Sequence, residues 1–273
     1  MKIVFLGGGN MANALIGGML KQGFAASDID VIDPGAEARA KLAASYGVNC
    51  HESAASAPVA PDVLVLAVKP QQMKEAVAPL VGKLGDAVVI SIAAGLDMTA
   101  LSRWLGGHRQ IVRCMPNTPA MIGAGITGLC ALPEVSADQR AAADRVLRAV
   151  GTTVWIEDEA KIDGVTAISG SGPAYVFHFI ECLQASGEAL GFDAATARRL
   201  AIDTVLGAAR LAAGSDESPA VLRERVTSKG GTTAAALSVM NERQLAAHIG
   251  DAVAAACRRS VELADEFGKD SKP

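Results

Sequence analysis

Hydrophobic residues in the first half of the chain form short runs rich in Val and Ile, separated by longer Ala- and Leu-rich stretches of helical period. This alternation is typical of βαβ units, in which parallel strands form a sheet and helices cover its faces. The runs predict strands at Lys2–Leu6, Asp30–Asp33, Val63–Val68, Ala87–Ile92, Gln110–Cys114, Gly128–Leu132 and Thr152–Ile156. The stretches predict helices at Met11–Gln22, Ala36–Tyr46, Met73–Val81, Met98–Leu105 and Ala137–Val150. Ser136 and Gln139 have the spacing of a capping box before the last of these helices.

The pattern changes after Trp155. From Pro173 onward, long Ala- and Leu-rich helical stretches follow one another with almost no β-branched alternation. They predict helices at Pro173–Leu190, Ala194–Ala213, Ala234–Met240 and Gln244–Phe267. We therefore predict an α/β domain with a parallel sheet over residues 1–159 and an all-α domain over residues 160–273. The helices carry more apolar surface than a lone helical domain covers, which predicts a homodimer or a higher homo-oligomer.

The composition argues against several classes of protein. The 273 residues include 25 Lys and Arg against 29 Asp and Glu, so there is no basic surplus to neutralise nucleic-acid phosphates. The five cysteines form no CxxC pair and are odd in number, which argues against a disulfide framework or a zinc site. Apolar runs are shorter than a membrane span requires. We expect a cytoplasmic protein that acts on a small molecule and binds neither nucleic acid, membrane nor metal.

A glycine-rich turn follows the first predicted strand and opens the first helix. Gly7, Gly9 and Ala12 match the G-x-G-x-x-A fingerprint of dinucleotide-binding sites. In this motif the first glycine allows a tight turn, the second lets the backbone approach a pyrophosphate, and the small third residue lets the helix pack on the strand. Asp33 ends the second strand about 20 residues farther on, where an acidic residue usually binds the ribose. The motif predicts a bound dinucleotide.

Three further strands end in residues suited to a ligand site, because ligands of open parallel sheets bind beyond the carboxyl ends of the strands. The third strand ends in Lys69-Pro70, the fourth in Ala93-Ala94-Gly95, and the fifth runs into Met115–Pro119. Small residues at 93–95 would let a flat nicotinamide ring approach the backbone, and the Asn117 amide would orient the ring or the substrate. The alternative is that Pro and Gly only end the strands.

Two polar loops in the second half are candidate ligand sites. Ile168–Tyr175 combines a Gly/Ser turn with Pro at the first helical position, so that free N–H groups can face a ligand. Val226–Thr233 is a Ser/Gly/Thr loop that can hold a carboxylate through backbone N–H and hydroxyl donors. The alternative for the second loop is a helix N-cap formed by Thr232 or Thr233.

The sequence contains no familiar acid–base or nucleophile motif. The four histidines form no H-x-H or H-E-x-x-H pair, and no G-x-S-x-G elbow occurs. The loops supply Ser, Thr, Asn and Gly but no evident His–Asp or Lys dyad. Such a site suits a hydride acceptor that is already electrophilic, such as a protonated imine, better than an alcohol that must lose a proton.

Together these motifs resemble those of the pyrroline-5-carboxylate reductase family along the whole chain. The segments that carry the resemblance are Gly7–Met11, Ala67–Gln71, Ser91–Gly95, Met115–Pro119, Ser169–Tyr175 and Thr227–Thr233, of which the last is the most specific. The resemblance implies a Rossmann-type domain followed by a helical domain that dimerises with its partner. It also implies reduction of 1-pyrroline-5-carboxylate to L-proline by hydride transfer from NADPH or NADH, the last step of proline biosynthesis.

The motifs and the resemblance together assign site residues. The residues expected to bind the dinucleotide are Gly7, Gly9, Asn10, Met11, Asp33, Arg39, Ala67, Val68, Lys69, Pro70, Ala93, Ala94, Gly95 and Asn117. The residues expected to bind the substrate are Ser171, Gly172, Ser228, Gly231, Thr232 and Thr233. Thr233 is the expected catalytic residue, with its hydroxyl at the ring nitrogen. The family mostly uses NADPH, which carries a 2′-phosphate on the ribose. Asp33 instead favours the free ribose hydroxyl of NADH, and Arg39 can compensate for this effect of Asp33. Lys229 departs from the family, whose members often have Pro there.

Two other interpretations remain open. One is an oxidoreductase of the β-hydroxyacid dehydrogenase type, which uses a Lys on the helix after its Gly-rich substrate motif. Here the helix after Gly172 begins with Pro173–His178, which contains no Lys. The other is a non-catalytic protein that senses a dinucleotide. Assays of NAD(P)H oxidation with pyrroline-5-carboxylate, and of hydroxyacids in the reverse direction, distinguish all three.

Overall fold

The computed structural model describes residues 1–57 and 61–268, and the strands of this part form one sheet. The strands are β1 (Ile3–Leu6), β2 (Ile29–Ile32), β3 (Asn49–His51), β4 (Val63–Leu66), β5 (Val88–Ser91), β6 (Ile111–Met115), β7 (Gly125–Ala131) and β8 (Gly151–Trp155). Their spatial order is β3-β2-β1-β4-β5-β6-β7-β8. Strands β2 and β3 lie on one side of β1, and strands β4 to β8 lie on its other side. The order therefore reverses between β1 and β4, where ligands of open α/β sheets bind.

Helices connect these strands. They are α1 (Asn10–Lys21), α2 (Ala36–Tyr46), α3 (Met73–Val77), α4 (Met98–Trp104) and α5 (Ala137–Leu147). The predicted bounds of α2 are confirmed at both ends. The capping box is also confirmed, because Ser136 Oγ accepts the Gln139 N–H and the Gln139 side chain accepts the Ser136 N–H. Two predicted helices end in turns of 3-10 helix, at Ala78–Leu80 and Arg148–Val150.

The first six strands are parallel, as the sequence pattern predicts, but β7 runs antiparallel to β6. The connection between β6 and β7 contains only a 3-10 helix, Thr118–Ile122. A parallel return would need a crossover of roughly a dozen residues or more, so the short connection forces the reversal. Strand β8 follows α5 and is parallel to β7.

The strands are buried on both faces, as expected for a sheet covered by helices. In β1, Ile3 and Phe5 belong to one core, and Val4 and Leu6 belong to the core on the opposite face. Each of the four residues is at most 5% exposed. Full burial of such a side chain contributes roughly 1.5–3 kcal/mol, so the sheet is a rigid base for the loops at its carboxyl edge.

The chain after β8 is helical, as predicted. Its helices are α6 (Lys161–Val165), α7 (Gly172–Ala189), α8 (Ala194–Ala213), α9 (Pro219–Arg225), α10 (Thr232–Glu242) and α11 (Leu245–Gly268). Packing divides the chain into a unit of Met1–Ser171 together with the end of the chain from Ala256, and a helical unit of Gly172–Ala255. The division predicted after residue 159 stays a prediction, and residues 269–273 of the predicted second domain lie outside the described part. No helix within the described ranges combines the length and apolar character that a membrane span needs.

The segment predicted as a Gly/Ser turn around Ser169 is helical, so that prediction is wrong. Thr166–Gly170 is a π-helical turn that continues α6. The Thr166 and Ser169 hydroxyls each donate to a carbonyl one turn earlier, at 2.9 Å. Side-chain hydrogen bonds of this kind bend helices and compete with their backbone ladder. Helix α7 then begins at Gly172.

The sequence pattern misses strand β3 and helices α6 and α9. Strand β3 is short and polar, and among the described residues it pairs only with β2, at the edge of the sheet, so no alternation of apolar residues marks it. Helix α9 is short, although its start does carry a signal. Ser218 is the N-cap and accepts the Val221 N–H, and Pro219 is the first helical residue.

Candidate active site

A cleft of about 500 Å³ lies where β1, β2 and β4 end. It brings together six residues predicted to bind the dinucleotide, namely Gly7, Gly9, Asp33, Ala67, Val68 and Lys69. Glu52, Ser53, Gln72 and Glu75 also line the cleft and are not predicted from the sequence. Glu52 and Ser53 directly follow β3, so recognition of that strand would have placed them at the same edge of the sheet.

Gly7 and Gly9 have different roles in this cleft. Gly7 has φ +103°, a conformation that favours glycine, and a Cβ on it would lie 2.7 Å from the Ala67 carbonyl oxygen. Gly9 is the N-cap of α1 with φ −70°, which any residue adopts, and a Cβ there would meet no atom within 4 Å. Gly7 therefore forms the turn, whereas Gly9 keeps open the space in front of the N-terminus of α1. That space and the N–H groups behind it fit the pyrophosphate of a dinucleotide.

Asp33 joins the end of β2 to the glycine turn. Its Oδ2 accepts the Gly8 N–H at 2.7 Å, and its Oδ1 accepts the Gly35 N–H at 2.8 Å. Arg39 Nη1 donates to the backbone carbonyl of Asp33 at 2.7 Å. Two backbone donors thus fix the carboxylate, and the Arg39 guanidinium is bound to the backbone carbonyl of the same residue.

We expect Asp33→Ala to shift the cofactor preference toward NADPH. The substitution removes a charge that repels a 2′-phosphate and an acceptor for the free ribose hydroxyl of NADH. The ratio of kcat/KM for NADPH to kcat/KM for NADH should rise roughly tenfold, equivalent to about 1.4 kcal/mol. Steady-state kinetics with both cofactors measure the ratio, with Glu37→Ala in the first turn of α2 as the matched control. An unchanged ratio would mean that Asp33 does not face the ribose.

Other predicted cofactor residues lie outside the lining of this cleft. Asn10 lines a neighbouring cavity of about 430 Å³ that includes Tyr46. Ala94 is exposed at the end of β5, whereas Ala93 and Gly95 are buried. Two more residues, Met11 and Pro70, are partly exposed. The roles of all these residues toward the cofactor stay predictions.

Asn117 connects three elements through its side-chain amide. It is 8% exposed; Nδ2 donates to the Ser169 carbonyl at 3.1 Å and Oδ1 accepts the Ile126 N–H at 3.0 Å. The amide thus joins the end of β6 to β7 and to the π-helical turn. Ser171 and Gly172 follow that turn and are partly exposed. The contact of Asn117 with nicotinamide, and of Ser171 and Gly172 with substrate, stay predictions.

The polar loop of the helical unit leads into α10. Gly231 is the N-cap of α10 and no side chain caps the helix, so the interpretation of Thr232 or Thr233 as the cap is wrong. The first backbone bond of the helix runs from the Ala235 N–H to the Gly231 carbonyl, and the Gly231 N–H donates to the Ser228 carbonyl. Within the described residues this leaves the backbone N–H groups of positions 232–234 free. Among the described residues, the Ser228 and Thr233 hydroxyls have no hydrogen-bond partner. Free donors of this kind at a helix N-terminus can hold a carboxylate.

The cysteines of the sheet region are poor nucleophiles. Burial raises the pKa of the Cys114 thiol, whose Sγ donates to the Ser91 carbonyl at 3.2 Å. Burial also raises the pKa of Cys50 and Cys130. A raised pKa disfavours the thiolate, which is the reactive form.

Comparison with known proteins identifies the family. Residues 159–263 match the family model described as pyrroline-5-carboxylate reductase dimerisation, and residues 2–95 match the model described as NADP oxidoreductase, coenzyme F420-dependent. The pyrroline-5-carboxylate reductase of Pseudomonas aeruginosa is 47% identical over 271 residues, which cover 98% of both chains. The chain belongs to the pyrroline-5-carboxylate reductase family.

Solved structures of this family share the fold of the chain. A pyrroline-5-carboxylate reductase from Coxiella burnetii is 40% identical, with a TM-score of 0.91 over 96% of this chain and 98% of that chain. The pyrroline carboxylate reductase of Plasmodium falciparum, solved with NADP bound, is 28% identical, with a TM-score of 0.85 over 97% and 98% of the two chains. The predicted Rossmann-type domain and helical dimerisation domain are confirmed. The hydroxyacid dehydrogenase and dinucleotide-sensor interpretations are not favoured.

Proposed function

We propose that this member of the pyrroline-5-carboxylate reductase family reduces 1-pyrroline-5-carboxylate to L-proline, the last step of proline biosynthesis. The observation that carries the proposal is the 47% identity to the P. aeruginosa reductase over 98% of both chains. In the reaction a hydride adds to the ring carbon of the C=N bond and a proton is placed on the nitrogen. The product is a secondary amine.

The cleft at the sheet edge is the cofactor site of this proposal. NADPH supplies the hydride when it is bound there. Gly7 forms the turn, and the backbone at Gly9 together with the N-terminus of α1 holds the pyrophosphate. Lys69, which is exposed at the end of the β4 segment, adds a positive charge beside these anionic groups. These residues contribute binding and orientation rather than redox chemistry.

The loop before α10 is the substrate site of this proposal. The N–H groups at the start of α10 and the Ser228 hydroxyl bind the carboxylate. The Thr233 hydroxyl hydrogen-bonds the ring nitrogen, which gains a lone pair as the C=N bond becomes an amine. A hydrogen bond to that nitrogen strengthens in the transition state, so Thr233 supports turnover more than substrate binding.

Homo-oligomer formation is supported by the helical unit. The family model that matches residues 159–263 is a dimerisation model, and large apolar side chains are exposed along the unit. Phe177 is 62% exposed, Leu190 81% and Leu211 72%. Extended apolar surface of this kind marks an association site, and a homodimer or a multiple of it is the assembly proposed.

Light scattering at micromolar protein should give a mass of at least two chains. Phe177→Glu places a charge on the exposed apolar face of α7 and should lower that mass, because a buried unpaired charge opposes association. Val81→Glu is the matched control, since Val81 is 44% exposed in the first unit. A monomeric mass for the wild-type chain with full activity would contradict the proposed assembly.

The proposed function is tested with the purified full chain. Oxidation of NADPH is followed at saturating cofactor with pyrroline-5-carboxylate, and proline is identified as the product. Hydroxyacids with NADP⁺ are assayed in the reverse direction. We expect turnover only with pyrroline-5-carboxylate; activity confined to hydroxyacids, or cofactor binding without turnover, would overturn the proposal. The cytoplasmic location stays a prediction.

A further inference from the structure

A buried charge cluster lies in the first unit, apart from the residues that line the dinucleotide cleft. Arg113 of β6 has a side chain that is 4% exposed. Its Nη1 lies 3.1 Å from Glu159 Oε1 and its Nη2 lies 3.4 Å from Asp163 Oδ1. Glu159 precedes α6 and Asp163 lies on it. One guanidinium therefore ties the start of α6 to the sheet at two points.

The two carboxylates also accept hydrogen bonds from two further helices, α4 and α11. Glu159 Oε1 also accepts the Met98 N–H at the start of α4, at 2.8 Å. Asp163 Oδ1 also accepts the hydroxyl of Ser260 on α11, at 2.7 Å. Ser260 is 4% exposed, so this bond is shielded from water. The planar guanidinium can donate to two carboxylates in fixed directions, which an ammonium cannot do.

Stability alone is a weak reason for such a cluster, because apolar side chains of similar volume often stabilise a core as well as a buried ion pair does. A fixed geometry is the stronger reason. Helix α6 continues directly into the π-helical turn Thr166–Gly170, and the predicted substrate residue Ser171 follows that turn as its C-cap. The far end of this turn is held separately by the Asn117 amide at the Ser169 carbonyl.

The close fit of α6 on the sheet leaves it little freedom once the charges are paired. A Cβ on Gly128 of β7 would lie 2.7 Å from Val165 Cγ1, so the helix and the strand are already in contact. A Cβ on Gly170 would lie 3.6 Å from Met115 of β6. Because the Val165 side chain already lies against Gly128, α6 cannot pack closer to the sheet. Loss of the charge pairing would thus be transmitted to the π-helical turn as a shift or rotation of α6.

We propose that Arg113 is a positioning residue for the reaction, which acts through Asp163 and α6 to fix the π-helical turn and Ser171 for the substrate. The proposal rests on the proposed function of the chain. Arg113 touches neither substrate nor cofactor in this role. Its loss should weaken the use of pyrroline-5-carboxylate while leaving the dinucleotide cleft unchanged, because none of the cleft-lining residues belongs to the cluster.

The test compares three variants of the full chain. Arg113→Lys keeps the charge but not the two-directional geometry, and should raise KM for pyrroline-5-carboxylate at least tenfold. Ser260→Ala removes only the hydroxyl donor to Asp163 and should raise the same KM several-fold. Arg109→Met is the matched control, because Arg109 precedes β6 and forms an exposed pair with Glu134 outside the cluster. In all three, the Kd for NADPH, measured by fluorescence titration, should stay within twofold of wild type.

The readouts separate positioning from a purely structural role. A KM for pyrroline-5-carboxylate that stays unchanged in folded Arg113→Lys would overturn the proposal. An increase in the NADPH Kd equal to the increase in KM would overturn it as well, because a general loss of structure affects both ligands. If Arg113→Lys does not fold, Ser260→Ala decides by the same criteria. Wild-type chain that does not turn over pyrroline-5-carboxylate refutes the proposed function, whereas active wild type with unaffected variants refutes only the positioning role.

Discussion

Thr233→Ala should lower kcat for pyrroline-5-carboxylate about ten- to a hundredfold and leave the melting temperature at the wild-type value. Loss of a hydrogen bond to a charged or polarised group costs roughly 1.5–3 kcal/mol, and this bond strengthens in the transition state. Stability should be unaffected because the N-cap of α10 is Gly231, and the Thr233 hydroxyl has no hydrogen-bond partner in the described part of the chain. Steady-state kinetics and thermal melts on the same preparation measure both quantities.

Two neighbouring substitutions serve as controls for Thr233. Ser228→Ala should mainly raise KM for pyrroline-5-carboxylate, because its hydroxyl is assigned to the carboxylate and not to the reacting nitrogen. Thr232→Ala removes an exposed hydroxyl at the adjacent helical position and should have a smaller effect on kcat than Thr233→Ala. None of the three should change the affinity for NADPH. A normal kcat in Thr233→Ala would exclude the proposed contact with the ring nitrogen.

Gly9→Val should greatly weaken the affinity for NADPH in a protein that remains folded. The backbone of Gly9 has φ −70°, which any residue adopts, and a Cβ would meet no atom within 4 Å, so a side chain at this position begins in open space. Its side chain would occupy the space in front of α1 where the pyrophosphate binds. We expect the Kd for NADPH to rise at least a hundredfold, equivalent to about 2.7 kcal/mol, with the melting temperature nearly unchanged.

Gly7→Ala is the contrasting variant in the same turn. At φ +103°, with a Cβ 2.7 Å from the Ala67 carbonyl oxygen, alanine should destabilise the fold and lower the melting temperature. Gly9→Ala should give an intermediate loss of NADPH affinity, because a methyl group fills less of the space. Wild-type affinity in Gly9→Val would contradict the assignment of this cleft to the pyrophosphate, and a large drop in its melting temperature would contradict the open space beside Gly9.

Most helices and seven of the eight strands in the described ranges follow from the sequence pattern. The reason is that the periodicity of apolar residues reports which side of a segment is buried, whatever it packs against. The bounds of α2 and the capping box at Ser136 are set by residues adjacent in sequence. The reversed direction of β7 and the presence of strand β3 cannot be predicted from such local patterns. They depend on how strands pair, and the polar segment Asn49–His51 becomes a strand only because β2 offers it an edge.

The candidate site divides in the same way. The glycine turn and the free N-terminus of α10 are local features, so the sequence by itself determined the dinucleotide motif and the loop predicted to bind substrate. The cap of α10 by Gly231 and not by a threonine is also local, but the sequence pattern does not distinguish the two. Tertiary structure alone decided that the Asn117 amide joins β6 to β7 and the π-helical turn. Tertiary structure also brought the Arg113 cluster together. The carboxylate partners of Arg113 lie 46 and 50 residues away in sequence, and the Asp163–Ser260 hydrogen bond spans 97 residues. Charges so far apart in sequence pair only when the fold buries them together. A buried charge without a partner is costly in free energy, and inside the fold the other buried charges are the available partners.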